Sequence, residues 1–311
     1  MTKLRYFLLK CALLLIFFSS FLCQSRAQDI FLPPTDQYNP SRLKTVVITE
    51  VASGILISTG LYYLWYRKHP QSRFHFFNDN GEWLQMDKVG HATTAYNIAS
   101  IQYDLMRWCG VKTDASVAVG SLTAIGYMSI IEVLDGFSSK WGFSKGDMLA
   151  NIVGTALFAG QQQFWQSQRI ALKFSYHGTI YPSYHPGELG NTWASRILKD
   201  YNGQTYWLSL NIKSFLSAKN DFPDWLNMSA GYGAEGMVGA RTNPTVVDGK
   251  PVPYFPRYRQ FYFAPDIDLL RVPTTSHLLS TTAFFTQFIK FPAPTVEWNG
   301  LKQWKFHPIY F

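Results

Sequence analysis

The sequence predicts an α+β protein: an N-terminal four-helix bundle-like domain followed by a β-rich, aromatic-rich C-terminal region. Between residues 45 and 168, long apolar stretches carry polar residues at offsets of three and four, the spacing of one helical face. After about Arg169 the texture changes to short aromatic runs that partly alternate and are separated by Gly, Pro and Asn, as strands are. At 311 residues, 47% of them hydrophobic, the chain has ample material for a core.

Residues 1–27 read as a secretory signal. Lys3, Arg5 and Lys10 give the positive start, Cys11 to Cys23 the apolar run, and Ser25-Arg26-Ala27 a small-x-small cleavage site. Cys23 is a candidate lipoprotein cysteine, although Leu22 is bulky where that signal wants a small residue. The formal charge of +8 includes Lys3, Arg5, Lys10 and Arg26 with no acid among them, so the chain after Ala27 carries about +4. That balance, without a run of Lys and Arg, gives no footprint for nucleic acid. Cleavage leaves Cys109 as the one cysteine, which reads as a buried structural thiol beside Trp108. Aromatic residues make up 17% of the chain, and with export this points towards a membrane-adjacent protein.

Residues 28–44, with Pro33, Pro34 and Pro40, are expected to be an extended lead. Val46 to Tyr66 form an apolar run interrupted by Glu50, which suits either a bilayer span or a buried helix. Asn78-Asp79-Asn80-Gly81 is a turn, and a helix follows from about Asp87 to Trp108. His91, Asn97, Gln102 and Asp104 make that helix a poor lone span in lipid. The next helix, Ala115 to Leu134, has Gly120 and Gly126 for close helix approach. Ser144, three residues before Asp147, fits a capping box for a helix running to about Trp165.

From 169 to 311, strands are expected at Ile170–Tyr176, Tyr206–Ile212, Trp225–Tyr232, Gln260–Leu270 and Trp304–Phe311, with a short helix near 191–200 and a loop from Asn243 to Pro256. A terminal Phe311 is a feature of outer-membrane barrels, but five or six strands fall short of the eight that a closed membrane barrel needs.

Three predicted helices each bring a polar pair: Asp87-Lys88-x-x-His91, Glu132-x-x-Asp135, and Asp147-x-x-x-Asn151 with Gly154 beyond. Each pair shares one helical face, and three such faces in one bundle can converge on a polar pocket. Taken singly each has a structural explanation: Asp87 and Asp147 as caps, Glu132 and Asp135 at a solvent-exposed helix end, Asn151 as an interhelical hydrogen bonder. Together, one His, up to four carboxylates and an Asn are able to bind a divalent cation or run acid–base chemistry. A single histidine gives weak support for tight zinc binding. No nucleophile elbow, P-loop, dinucleotide fingerprint or HExxH is present.

The order Asp-Lys-x-x-His, Glu-x-x-Asp, Asp-x-x-x-Asn-x-x-Gly resembles the VanZ-like family of membrane proteins. With Asp135 and the Trp141-Gly142-Phe143-Ser144 loop it looks still more like the YfiM-like family of exported envelope proteins, over roughly residues 80–165. The resemblance implies a helical domain in the cell envelope. VanZ itself is associated with lowered susceptibility to teicoplanin; the signal and the long aromatic C-terminus depart from it, so drug resistance is not carried over.

The first reading is therefore an exported, membrane-associated envelope protein with a polar pocket between helices and membrane lipid or envelope proteins as partners. The second is an enzyme on a lipid or cell-wall precursor, with His91 as acid–base residue, Glu132, Asp135 and Asp147 as carboxylates or metal ligands, and Lys88 as an anion contact. The third is a polytopic inner-membrane protein, disfavoured by a mean hydropathy of −0.06.

Overall fold

The computed structural model describes residues 31–67, 69–217 and 219–311. The expected signal, its cleavage site and Cys23 lie outside the described residues. The first helix, α1, spans Pro40–Leu61 and continues as a π-turn over Tyr62–Tyr66. It starts earlier than the expected extended lead allows. Asn39 accepts a hydrogen bond from the Arg42 N–H (3.0 Å), and Pro40 at the first helical position needs no N–H partner.

Helices α2 (Met86–Trp108), α3 (Thr113–Gly136) and α4 (Lys145–Trp165) pack against one another around Tyr96, Ala99, Ala124 and Phe158. Gly120 and Gly154 permit this closeness: a Cβ on them would lie 2.6 Å from the Ala99 carbonyl and 2.0 Å from the Ala92 carbonyl. Gly126, expected to do the same, faces open space instead. The fourth member, α1, is attached mainly by Val46, which packs with Met106 and Cys109; Cys109 is buried as expected. The segments Pro40–Tyr66 and Thr113–Gly136 are long and apolar enough to cross a membrane by length and composition.

Entry to α2 is unusual. Trp83, Leu84 and Gln85 all have positive φ (46°, 50° and 66°), conformations that side-chain-bearing residues rarely adopt. The turn is pinned from outside: the Trp83 N–H donates to the Ala240 carbonyl (2.7 Å), and the Tyr232 hydroxyl donates to the Leu84 carbonyl.

The C-terminal region builds one antiparallel sheet, with strands β1 (Ile170–Tyr176), β2 (Gln204–Asn211), β3 (Leu226–Glu235), β6 (Tyr258–Ile267), β7 (Ala293–Asn299) and β8 (Trp304–Tyr310) adjacent in that order. Between β3 and β6, the stretch expected as loop holds a small hairpin of β4 (Val246–Val247) and β5 (Lys250–Pro251), turned through Asp248 and Gly249 at positive φ. The strand at 293–299 and a helix at His277–Thr286 were not among the expected elements. The short helix near 191–200 is present as Trp193–Lys199, capped by Thr192 and Ser195.

The sheet is strongly curled. Lys173 on β1 pairs with Asp266 on β6 at 2.8 Å, although three strand steps in a flat sheet would separate them by about 14 Å. The Thr205 and Tyr310 hydroxyls, on β2 and β8, meet at 2.9 Å. The segment leading into β7 pairs back on β1, with the Phe174 N–H donating to the Phe288 carbonyl and the Lys290 N–H to the Phe174 carbonyl, both 2.8 Å. Helix α2 lies against the outside of the curl through Leu172, Tyr206 and Tyr232.

Candidate functional site

Six of the seven residues singled out in the sequence converge. Lys88 is the hub: its Nζ lies 2.7 Å from Asp147 Oδ1, 2.7 Å from Asp79 Oδ1 and 3.5 Å from Asp87 Oδ2. One turn on, His91 Nδ1 is 3.1 Å from Asn151 Oδ1 and 3.6 Å from Glu132 Oε1, while Nε2 faces Asp87 and Asp147 at 3.9 and 4.0 Å. Asp135 lies at the edge, accepting a 2.7 Å hydrogen bond from the Tyr66 hydroxyl on the π-turn.

Position in each helix explains the convergence. Met86 anchors the start of α2 in a buried cluster with Ala234 and Met237, which turns Asp87, Lys88 and His91 towards α3 and α4. Ser144 caps α4 as expected, accepting from the Asp147 N–H at 3.1 Å. The reciprocal half of the box is missing. The Ser144 N–H donates to Glu132 Oε2 (3.0 Å), so the Asp147 carboxylate is released from capping and turned to Lys88. Glu132 is 1% exposed, and its Oε1 accepts no hydrogen bond. Solvent exposure of the helix end does not explain it, because Val133 and Leu134 there are exposed while Glu132 turns inwards.

Asp79, Tyr201 and Ser144 complete the cluster and were missed as site residues. Ser144 Oγ donates to Asp79 at 2.7 Å, and the Tyr201 hydroxyl donates to Asp87 at 2.5 Å. Asp79 sits in the Asn-Asp-Asn-Gly turn, where composition signals only a turn.

Burial dominates the electrostatics. It pushes Glu132 up to about 8 against the pull of His91, and Asp147 up to about 7, helped by repulsion from Asp87. Asp135 rises to about 6 for the same reason. Burial opposes the charged forms of Lys88 and His91 as well, but the surrounding carboxylates outweigh it. Lys88 is held up at about 12, and His91 sits above its usual value. Asp79 goes the other way: hydrogen bonds from Asp147, Lys88 and Ser144 override its burial and lower it. The site therefore separates a carboxylate that stays ionised from two that hold protons near neutral pH, the arrangement that acid–base chemistry uses.

The sign of the pH dependence follows. Glu132, Asp135, Asp147 and His91 all bind protons more tightly folded than unfolded, so their stabilisation is complete below the unfolded pKa values and is lost as pH rises through the folded ones. With chelator present, the urea midpoint is expected to fall steadily from about pH 5 to about pH 8, and Glu132→Gln to flatten the fall. A midpoint that rises over this window in the wild type would contradict the assignment.

Asp87, His91 and Asp147 each offer a ligand atom within 4.8 Å of the other two, a spacing that a divalent cation can gather. Next to the cluster, a cleft of about 310 Å³ is lined by Trp65, Trp83, Trp141, Lys140, Glu188 and Tyr201, so Tyr201 belongs to both cleft and cluster. A larger cavity of about 450 Å³, walled by Tyr103, Arg107, Gln162 and Phe284, contains none of these residues.

Residues 75–160, which hold every member of the cluster except Tyr201, match the model of an uncharacterised family described as "Predicted periplasmic lipoprotein (DUF2279)". No curated protein and no solved structure matches the chain. The protein is an exported, envelope-associated protein.

Proposed function

We propose that the helical domain is a VanZ-like or YfiM-like envelope module, membrane-associated, and that its cluster is a divalent-cation site. The observation that carries the cation site is the gathering of Asp87, His91 and Asp147 within 4.8 Å, beside a buried Glu132 oxygen with no hydrogen bond. Lys88 pairs with Asp79 and Asp147, and a cation bound beside it would displace the protons that burial keeps on Glu132 and Asp147. One nitrogen and several carboxylate oxygens suit a cation of intermediate hardness better than a thiolate-type metal. The family description also raises lipid attachment, for which Cys23 is the candidate, with Leu22 departing from the small residue expected before it.

A second reading, an acid–base enzyme on a lipid or cell-wall precursor, is favoured by the aromatic cleft that shares Tyr201 with the cluster. In it, His91 moves the proton, Glu132 and Asp147 set its charge or hold the metal, and Lys88 meets an anionic group.

The test is the metal content of the purified protein, wild type beside His91→Gln and Glu132→Gln, followed by titration of the stripped protein with Zn²⁺, Mn²⁺ and Ca²⁺. A stoichiometric cation that both variants lose is expected, with affinity rising with pH as the carboxylates and His91 give up their protons. No metal in the wild type, with both variants merely less stable, would reduce the cluster to a packing network.

A further inference from the structure

The curled sheet buries many polar residues among its inner aromatics and leaves large apolar residues on its outer face. Register places Lys173, Ser209, Asn227 and Asp266 on its concave face, with Gln260 and Glu297 further along the same face, and all six are buried. They satisfy one another. Ser209 Oγ donates to Asp266 at 2.6 Å and Asn227 to Ser209 at 2.9 Å, while His307 Nε2 lies 2.7 Å from Glu297. The alternate residues point outwards, and away from α2 and from Arg259 at that end of β6 they are apolar and bare. Met228 on β3, Phe263 on β6, Trp298 on β7 and Phe306 on β8 belong to this set, with Phe263 54% and Phe306 66% exposed; Trp304 beside them is 68% exposed.

In water an antiparallel sheet turns its apolar face to the core and its polar face to solvent. Here ionic and amide groups are desolvated inside, beside a buried cluster of Trp207, Tyr262 and Tyr310, while a second set of large aromatics is left outside. Burial of those polar groups is costly, and exposure of those rings forgoes the gain of removing apolar area from water. Both choices become favourable together when the surroundings of the outer face are hydrocarbon. That is the alternation of membrane sheets: lipid-facing residues apolar, interior polar. Strands β3 and β6, ten residues each, also have the length of membrane strands, while β7 and β8 have seven residues each.

We infer that the bare outer face of β3, β6, β7 and β8 is seated in the hydrocarbon of a lipid bilayer, with α2 covering the opposite side of the curl. The inference does not depend on the cation site. Helix α1 presents a further apolar surface of the same kind, since Val51, Ile55, Leu56 and Ile57 are exposed and Val46 is its one buried residue.

The experiment places the photocrosslinker p-benzoylphenylalanine singly at Met228, Phe263, Trp298 or Phe306 of the full-length protein, with Asp221 in the exposed β2–β3 loop as control. The protein is reconstituted in vesicles of phosphatidylethanolamine and phosphatidylglycerol, irradiated, and analysed by intact mass. Phospholipid adducts at the four sheet positions and not at Asp221 are the expected result. Adducts to a second copy of the chain, no adducts, or equal lipid adducts at Asp221 would each overturn it. As an independent measurement, Phe263→Lys with Phe306→Lys is expected to abolish the lipid adduct of the crosslinker at Trp298, while the circular dichroism stays unchanged. An undiminished lipid adduct at Trp298 in that double variant would also count against the inference.

Discussion

Replacing Lys88 by methionine is expected to destabilise the protein by about 3–5 kcal/mol at pH 8, the range for removing one partner from a buried ionic group. The change takes one ammonium from between Asp79 and Asp147, both at 2.7 Å, and from beside Asp87. The three carboxylates then face each other with no ammonium between them. Packing is not the cause, because methionine fills most of the lysine volume. The loss should shrink at pH 5, since Asp147 and Glu132, already raised to about 7 and about 8, take up protons and relieve the repulsion. Urea unfolding at the two pH values reads this directly. A loss below about 1 kcal/mol at both would mean that water screens the cluster as it screens surface ion pairs. Millimolar divalent cation should restore part of the pH 8 loss if the cation site exists, because it supplies the charge that Lys88 no longer brings.

Much of this cluster was legible because helical spacing is a local property. Asp87 with His91, and Asp147 with Asn151, share faces by chain geometry alone, and apolar flanks on both sides signal burial. The three helices were legible for the same reason. Asp79 was not, because its approach to Lys88 depends on the left-handed turn of Trp83, Leu84 and Gln85, and no residue type there announces positive φ. That turn is fixed by Ala240 and Tyr232, more than a hundred residues away, so a local reading cannot reach it. Tyr201 is hidden in the same way, since its bond to Asp87 crosses from the β-rich region to α2.

In the β-rich region the alternation was visible but its meaning was not. A period of two says that a strand has two unlike faces; it does not say which of them is buried. For β2, the set Thr205, Trp207, Ser209 and Asn211 is buried and the intervening Leu208 is exposed, the reverse of the usual assignment. Only the curl, bridged by Lys173 and Asp266, fixes the direction. Strand β7 was missed because Pro294 and a register shift near its start leave a short alternating run, Thr295 to Asn299.

Asp266→Leu tests that interior most severely. Its carboxylate is fully buried between two cations, Lys173 at 2.8 Å and Lys290 at 3.7 Å, themselves all but inaccessible to solvent. Leucine removes the charge that holds them and leaves two buried ammonium groups facing each other, so a loss of about 3–5 kcal/mol or more is expected in detergent micelles. The pH dependence identifies the cause. Burial already lowers Lys290 to about 8 in spite of the attraction of Asp266. Because that folded value lies below the unfolded one, its contribution to stability increases as pH rises from about 8 towards 10.5, where the unfolded chain binds more protons. Without Asp266 the folded value should drop further, and the variant should begin to regain stability at a lower pH than the wild type does. Adding Lys173→Met should recover part of the loss, since one uncompensated charge is then left instead of two, and the double-mutant cycle should show coupling between the positions. Additive losses, or a variant as stable as the wild type at pH 7, would mean that water reaches the concave face. The polar interior would then be ordinary solvated surface, and the exposed aromatics opposite it would lose their reason for facing hydrocarbon.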